Sequence, residues 1–206
     1  MSHTHAVRMS RRAQTWTLTL CTLAAIVAGA PAAAQAQAVP VATDWTSVSA
    51  NTATGTLLGA GVKLSGSHVW NTPTSRVDGS WPYFAGPAFS PALTKSDEIQ
   101  ISGYTGYSYT IDFGAPTTNP IIELASLGSR IDFPAGTQLS RLSGEPGFTV
   151  SGSSVSGTPS NTIGTSSNND ASGTIRLTST YRSITFKTTP NYTGPEDGIL
   201  VQLCAG

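Results

Sequence analysis

The chain has 206 residues, 38% of them hydrophobic and only 11% charged, with 11 Lys and Arg set against 11 Asp and Glu. That length supports one domain with a core of its own, while the lack of any basic cluster excludes nucleic acid and anionic membrane surfaces as natural partners. Two cysteines, Cys21 and Cys204, are too few for a disulfide framework.

The chain opens with Arg8, Arg11 and Arg12, an apolar run from Trp16 to Ala30, and Ala34, Ala36 and Ala38 in A-x-A spacing. This reads as a secretory signal peptide over residues 1–38, cleaved after Ala38 with Ala36 as the other choice. Ser10-Arg11-Arg12 resembles part of a twin-arginine signal, but Gln14 and Thr15 stand where an apolar pair belongs. Leu18-Thr19-Leu20-Cys21 resembles a lipoprotein box, but Leu20 is too large for its place. Residues 39–206 are then one exported domain, secreted or periplasmic, with a net charge of about −3 because three cations leave with the leader. No later apolar stretch approaches a membrane span. Cys204 is left alone in an oxidising compartment. It is either a small buried residue or the link of a disulfide-bonded dimer.

Beyond the leader the sequence is rich in Ser, Thr, Gly and Asn, and short runs alternate with period two between turn residues. This pattern predicts an all-β, antiparallel two-sheet sandwich, jelly-roll-like, of about ten strands. Thr43 to Ala50 and Thr54 to Ser65 are the opening strands, with Gly55, Gly59 and Gly61 marking a bulge or tight turn in the second. From Gly66 to Pro91 the aromatic residues Trp70, Trp81, Tyr83, Phe84 and Phe89 are interleaved with prolines. Because proline removes ladder donors, this stretch reads as a long ordered loop. A strand follows at Ser96 to Ser102, and then the central stretch Tyr107 to Gly128. There Tyr107, Tyr109, Ile111 and Phe113 alternate with polar residues before Asn119-Pro120 and the run Ile121 to Leu127, which predicts a β-hairpin. Shorter strands are expected at 131–133, 139–142 and 148–150, a polar excursion with one ragged strand over 151–172, and closing strands at 173–178, 181–188 and 198–203.

Few residues carry chemistry. His68 is the one histidine beyond the leader and no G-x-S-x-G elbow accompanies it, so a structural or surface role is expected for it over general-base catalysis in a serine hydrolase, and a conventional zinc site is excluded. Asp112 and Glu123, on the two arms of the expected hairpin, are the carboxylate pair a glycan hydrolase or lyase would need. Asp97-Glu98, Glu196-Asp197 and the loop residues Asn168-Asn169-Asp170 could supply oxygens to a structural calcium ion, with Asp97, Glu98, Glu196 and Asp197 as its ligands. Within the aromatic loop, Trp70, Asn71, Arg76, Asp78, Trp81 and Tyr83 combine rings for sugar C–H faces with groups that hydrogen-bond hydroxyls. The rival reading is that these rings cap the open end of the sandwich.

Tyr109-Thr110-Ile111-Asp112-Phe113, Thr118-Asn119-Pro120-Ile121-Ile122 and Ser126-Leu127-Gly128, followed by Gly173-Thr174-Ile175 and Arg182-Ser183-Ile184-Thr185-Phe186, resemble secreted bacterial β-sandwich proteins of unassigned function. Many of those carry a PEP-CTERM sorting tail, and this sequence reaches Gly206 without one. The resemblance implies export to the cell surface or an exopolysaccharide matrix and supplies no active site. The expectation is a non-catalytic binding or matrix module, with a glycan as its ligand. The alternatives are a carboxylate-based glycan hydrolase or lyase and a structural subunit of an extracellular assembly.

Overall fold

The computed structural model describes residues 39–158, 170–191 and 197–206, so residues 1–38, the expected signal peptide, lie outside the described residues with Asn168-Asn169 and Glu196. The strands, in chain order, are β1 (Val41–Ala42), β2 (Asp44–Ser49), β3 (Thr52–Leu57), β4 (Ala60–Gly66), β5 (Arg76–Trp81), β6 (Ser96–Gly103), β7 (Ser108–Thr118) and β8 (Ile121–Leu127). They continue with β9 (Ser129–Asp132), β10 (Leu139–Gly144), β11 (Phe148–Ser151), β12 (Ser154–Gly157), β13 (Ala171–Leu177), β14 (Thr180–Pro190) and β15 (Asp197–Ala205). One sheet, called I, has the order β10-β13-β8-β15-β6-β5 with β1 beside β15, and sheet II runs β11-β12-β9-β14-β7-β4-β3-β2. Every pairing is antiparallel, the two sheets pack face to face, and no helix occurs among the described residues.

Period-two alternation explains the core. Tyr109, Ile111 and Phe113 of β7 point inward with Leu64 of β4 and Phe186 of β14, and meet Ile99, Ile101, Ile122, Leu124, Val201 and Leu203 of sheet I. Each fully buried side chain of this size contributes roughly 1.5–3 kcal/mol. The opposite face of sheet II carries Thr54, Lys63, Thr110, Asp112 and Thr185 and is wet, as expected of an antiparallel sheet.

The central stretch departs from the expected hairpin. β7 pairs with β4 and β14 in sheet II, whereas β8 pairs with β13 and β15 in sheet I. Asn119-Pro120 is therefore a corner between sheets. Asn119 takes a left-handed conformation (φ 51°), which Asn tolerates better than most residues, and its amide donates to the Ser179 carbonyl at 2.7 Å. Gly114 (φ 70°) lets β7 lie against β4, because a Cβ there would strike the Gly61 carbonyl. The stretch 54–65 is two strands, turning at Leu58-Gly59. The aromatic loop is interrupted by β5, an edge strand that meets β6 at Arg76↔Glu98 and Trp81↔Ser96 with a register shift between them.

A buried polar staple ties the two sheets together where β1 leaves β15. Gln202, fully buried, donates through Nε2 to the carbonyls of Asp97 (2.9 Å) and Thr43 (3.1 Å). Its Oε1 accepts from the Trp45 indole of sheet II at 3.0 Å and from the Leu203 amide at 2.8 Å. Asp97 adds a second link, accepting from the amides of Trp45 (2.8 Å) and Gly79 (2.6 Å). Removing one buried partner leaves others uncompensated at roughly 1–3 kcal/mol each. Gln202→Ala should therefore lower stability by about 3 kcal/mol or more in urea denaturation, and a change below about 1 kcal/mol would contradict this role.

Candidate functional site

Sheet I is unusual for an antiparallel sheet because both of its faces are covered. On β8, Ile122 and Leu124 enter the core between the sheets, while Ile121, Glu123 and Ala125 face outward and are nonetheless buried. The cover is the segment 82–95. Phe84, Ala88 and Phe89 pack on Ala125 and Leu200 as a second hydrophobic cluster, with Phe84 and Phe89 edge to face at 5.0 Å. The segment holds its own shape through the Leu93 amide donating to the Phe84 carbonyl at 2.8 Å. It is pinned down by Ser90 N donating to Thr174 Oγ1 (3.0 Å) and Ser143 Oγ donating to the Ala88 carbonyl (2.8 Å).

Two cavities flank this roof. One, of about 290 Å³, is lined by Arg76, Trp81 and Tyr83 together with Glu98, Gln100, Ser126 and Leu200. The other, of about 420 Å³, lies at the far end against Ser90, Pro91, Ile121, Leu142 and Arg176. The first gathers half of the aromatic-loop set expected from the sequence. The Arg76 guanidinium carbon sits 3.7 Å above the centre of the Trp81 ring, and its Nε lies 3.7 Å from Glu98 Oε1. That is a charge contact without a hydrogen bond. The Glu98 side chain is 4% exposed, and burial pushes its carboxyl up to about 7, with Arg76 working against the shift and Asp78 adding to it. Glu98 Oε2, Trp81 Nε1 and Ser96 Oγ are buried without a hydrogen-bond partner among the described residues, and they sit at neighbouring cross-strand positions. Such groups cost roughly 1–3 kcal/mol each when uncompensated, and their clustering beside a cavity makes this the candidate site.

The other expected binding residues are elsewhere. Trp70 stacks on His68 (4.9 Å, 21°) and donates its backbone amide to Gln100. Asn71 is exposed and its carbonyl closes the turn to Thr74 and Ser75. Asp78 is exposed, with the Ser80 hydroxyl and amide donating to Oδ1 and holding its carboxyl below the usual range. Tyr83 is 38% exposed, so the ring set neither packs inward as a cap nor projects freely.

The acidic doublets are not brought together. Asp197 pairs with Gly103 at one end of β6 and Asp97 lies at the other, six residues or roughly 20 Å away. Asp197 accepts from the Gly128 amide (2.9 Å) and the Ser129 hydroxyl (2.6 Å), and burial pushes its carboxyl up to about 6. Both aspartates are thus occupied as intrachain acceptors, Glu98 belongs to the cavity, and Glu196 lies outside the described residues. Among the described residues no group of three His, Cys, Asp or Glu stands within reach of one metal ion.

Two further expectations are corrected. Asp112 and Glu123 sit on different sheets, Asp112 exposed on sheet II and Glu123 buried on the outside of sheet I, with the core between them. They cannot flank one glycosidic bond. Cys204 is fully buried beside β1 and β8, and burial pushes its thiol up, so it is a packed core residue and not the link of a disulfide-bonded dimer of the folded chain. No helix among the described residues is long and apolar enough to cross a membrane.

No protein-family model, curated protein or solved structure matches the chain.

Glu123 is the group the sequence reading missed as a buried acid. Neither of its oxygens has a partner among the described residues, and burial pushes the carboxyl from 4.5 up to about 8. The folded state therefore holds a proton that the unfolded chain releases near pH 4.5, so stability falls as pH rises through the window from about 4.5 to about 8. Glu123→Gln should leave stability nearly unchanged at pH 4 and raise it by roughly 4–5 kcal/mol at pH 9, as read by urea denaturation across pH. An equal effect at both pH values would contradict the assignment.

Proposed function

We propose that this protein is an exported, non-catalytic binding or matrix module whose ligand is a glycan, held in the cavity between β5, β6 and the roof segment. The observation that carries this reading is that Trp81, Tyr83 and Arg76 line one cavity together with the buried Glu98. Sugar rings offer apolar C–H faces to aromatic side chains and hydroxyls to precisely placed polar groups, and this cavity supplies both within one rigid edge of a sheet. Its volume of about 290 Å³ suits one ring or a chain end, at the lower limit of the roughly 300–1,000 Å³ common for ligand sites. Export follows from the leader, and an exopolysaccharide matrix is where such a module would meet its ligand.

A glycan array probed with the purified protein tests this. Binding to a defined set of glycans is expected, lost at least tenfold in Trp81→Ala and in Tyr83→Ala while the thermal midpoint stays within a few degrees. Binding untouched by both substitutions, or the absence of binding to any glycan, would overturn the reading.

A further inference from the structure

We propose that the glycan taken by this cavity is an acidic one, its sugar carboxylate received by the guanidinium of Arg76. This inference rests on the reading of the cavity as a glycan site.

Arginine carries five N–H donors in a planar fork and no acceptor, so an arginine at a binding surface is completed by a carboxylate or a similar oxyanion. Arg76 makes no hydrogen bond among the described residues, and its one acidic contact, Glu98 Oε1 at 3.7 Å from Nε, is too long to be one. The guanidinium is not loose. It lies over the Trp81 ring at 3.7 Å, with its side chain 37% exposed at the cavity. The donors are thus held in place by the ring at the mouth of the cavity. Stacking removes much of the rotamer entropy that a free arginine would lose on binding.

The surroundings favour an acid over a neutral sugar. Glu98 is protonated below about pH 7, so it does not neutralise Arg76 there and can itself donate to a ligand oxygen. The charged groups whose fields reach Glu98 are Arg76 and Asp78, both on β5. β15 contributes Gly198 and Leu200 to the lining, β8 Ser126, β6 Gln100 and the roof Tyr83, none of them charged. Asp78 is exposed, accepts from the Ser80 amide and hydroxyl, and feels the field of Arg76 only as the least of the influences on its carboxyl. As pH rises through about 7, Glu98 ionises beside the guanidinium and competes with the ligand for it. The tight-binding state is therefore the acidic one.

Isothermal titration with a short oligogalacturonate and with its methyl ester, which differ only in the charge, separates the possibilities. The acid should bind at least tenfold more tightly than the ester at pH 6, and that preference should shrink several-fold at pH 8. Arg76→Gln should weaken binding of the acid at least tenfold more than binding of the ester and so erase the preference, and Arg76→Lys should keep only part of it. Glu98→Gln should hold the pH 6 affinity unchanged at pH 8, which a merely structural glutamate would not do. Equal affinity for acid and ester, with both lost in Trp81→Ala, would overturn this inference and leave the glycan reading standing. Binding of neither probe nor any other glycan would end both. Equal binding of a sulfated neutral oligosaccharide would show that the cavity reads any oxyanion and would overturn the carboxylate assignment.

Discussion

The covering of the outer face of sheet I by residues 82–95 is the constraint on which the rest of this structure depends. An antiparallel sheet ordinarily leaves one face to water, and polar residues placed there titrate normally. Here Phe84, Ala88 and Phe89 close over Ala125 and Leu200, and Glu98 and Glu123, which alternation alone would have left wet, are buried on the same face. The raised carboxyls, the partnerless oxygens and the cavities at the two ends of the roof all follow from that desolvation.

The roof also explains how a sheet edge comes to line the cavity proposed as the binding site. β5 is bulged and short of ladder bonds, touching β6 at Arg76 and Trp81, so it presents side chains instead of a regular row of amides. Asp97 anchors this edge from below through the Gly79 amide and ties it to Trp45 and so to sheet II. Arg76, Trp81 and Glu98 consequently stand on backbone fixed from two sides, as a preorganised site requires.

The sandwich was legible because period-two alternation survives in β6, β7 and β14, where Ile99 and Ile101, Tyr109 and Ile111, and Ile184 and Phe186 mark the inward face. What local patterning could not give was the assignment of strands to sheets. Asn119-Pro120 announces a reversal, but the same two residues serve a hairpin or a corner, and only the partners β14 and β13 decide. The run Ile121 to Leu127, apolar at nearly every position, did carry a signal of burial on both faces that the hairpin reading set aside. β5 was hidden because Pro73 and Pro82 bracket it and the prolines outweighed the alternation between them.

The site was half legible for a related reason. Clustered aromatics pointed to Trp81, Tyr83 and Arg76, but Glu98 read as a strand-end metal ligand because nothing local shows that a segment begun sixteen residues earlier returns to share a cavity with it. Burial raises both carboxyls on this face, and NMR titration of the glutamate carboxyl carbons tests that most directly. Such burial predicts midpoints of about 7 for Glu98 and about 8 for Glu123. Midpoints for both near the ordinary 4.5 would mean that water reaches the face and would contradict it.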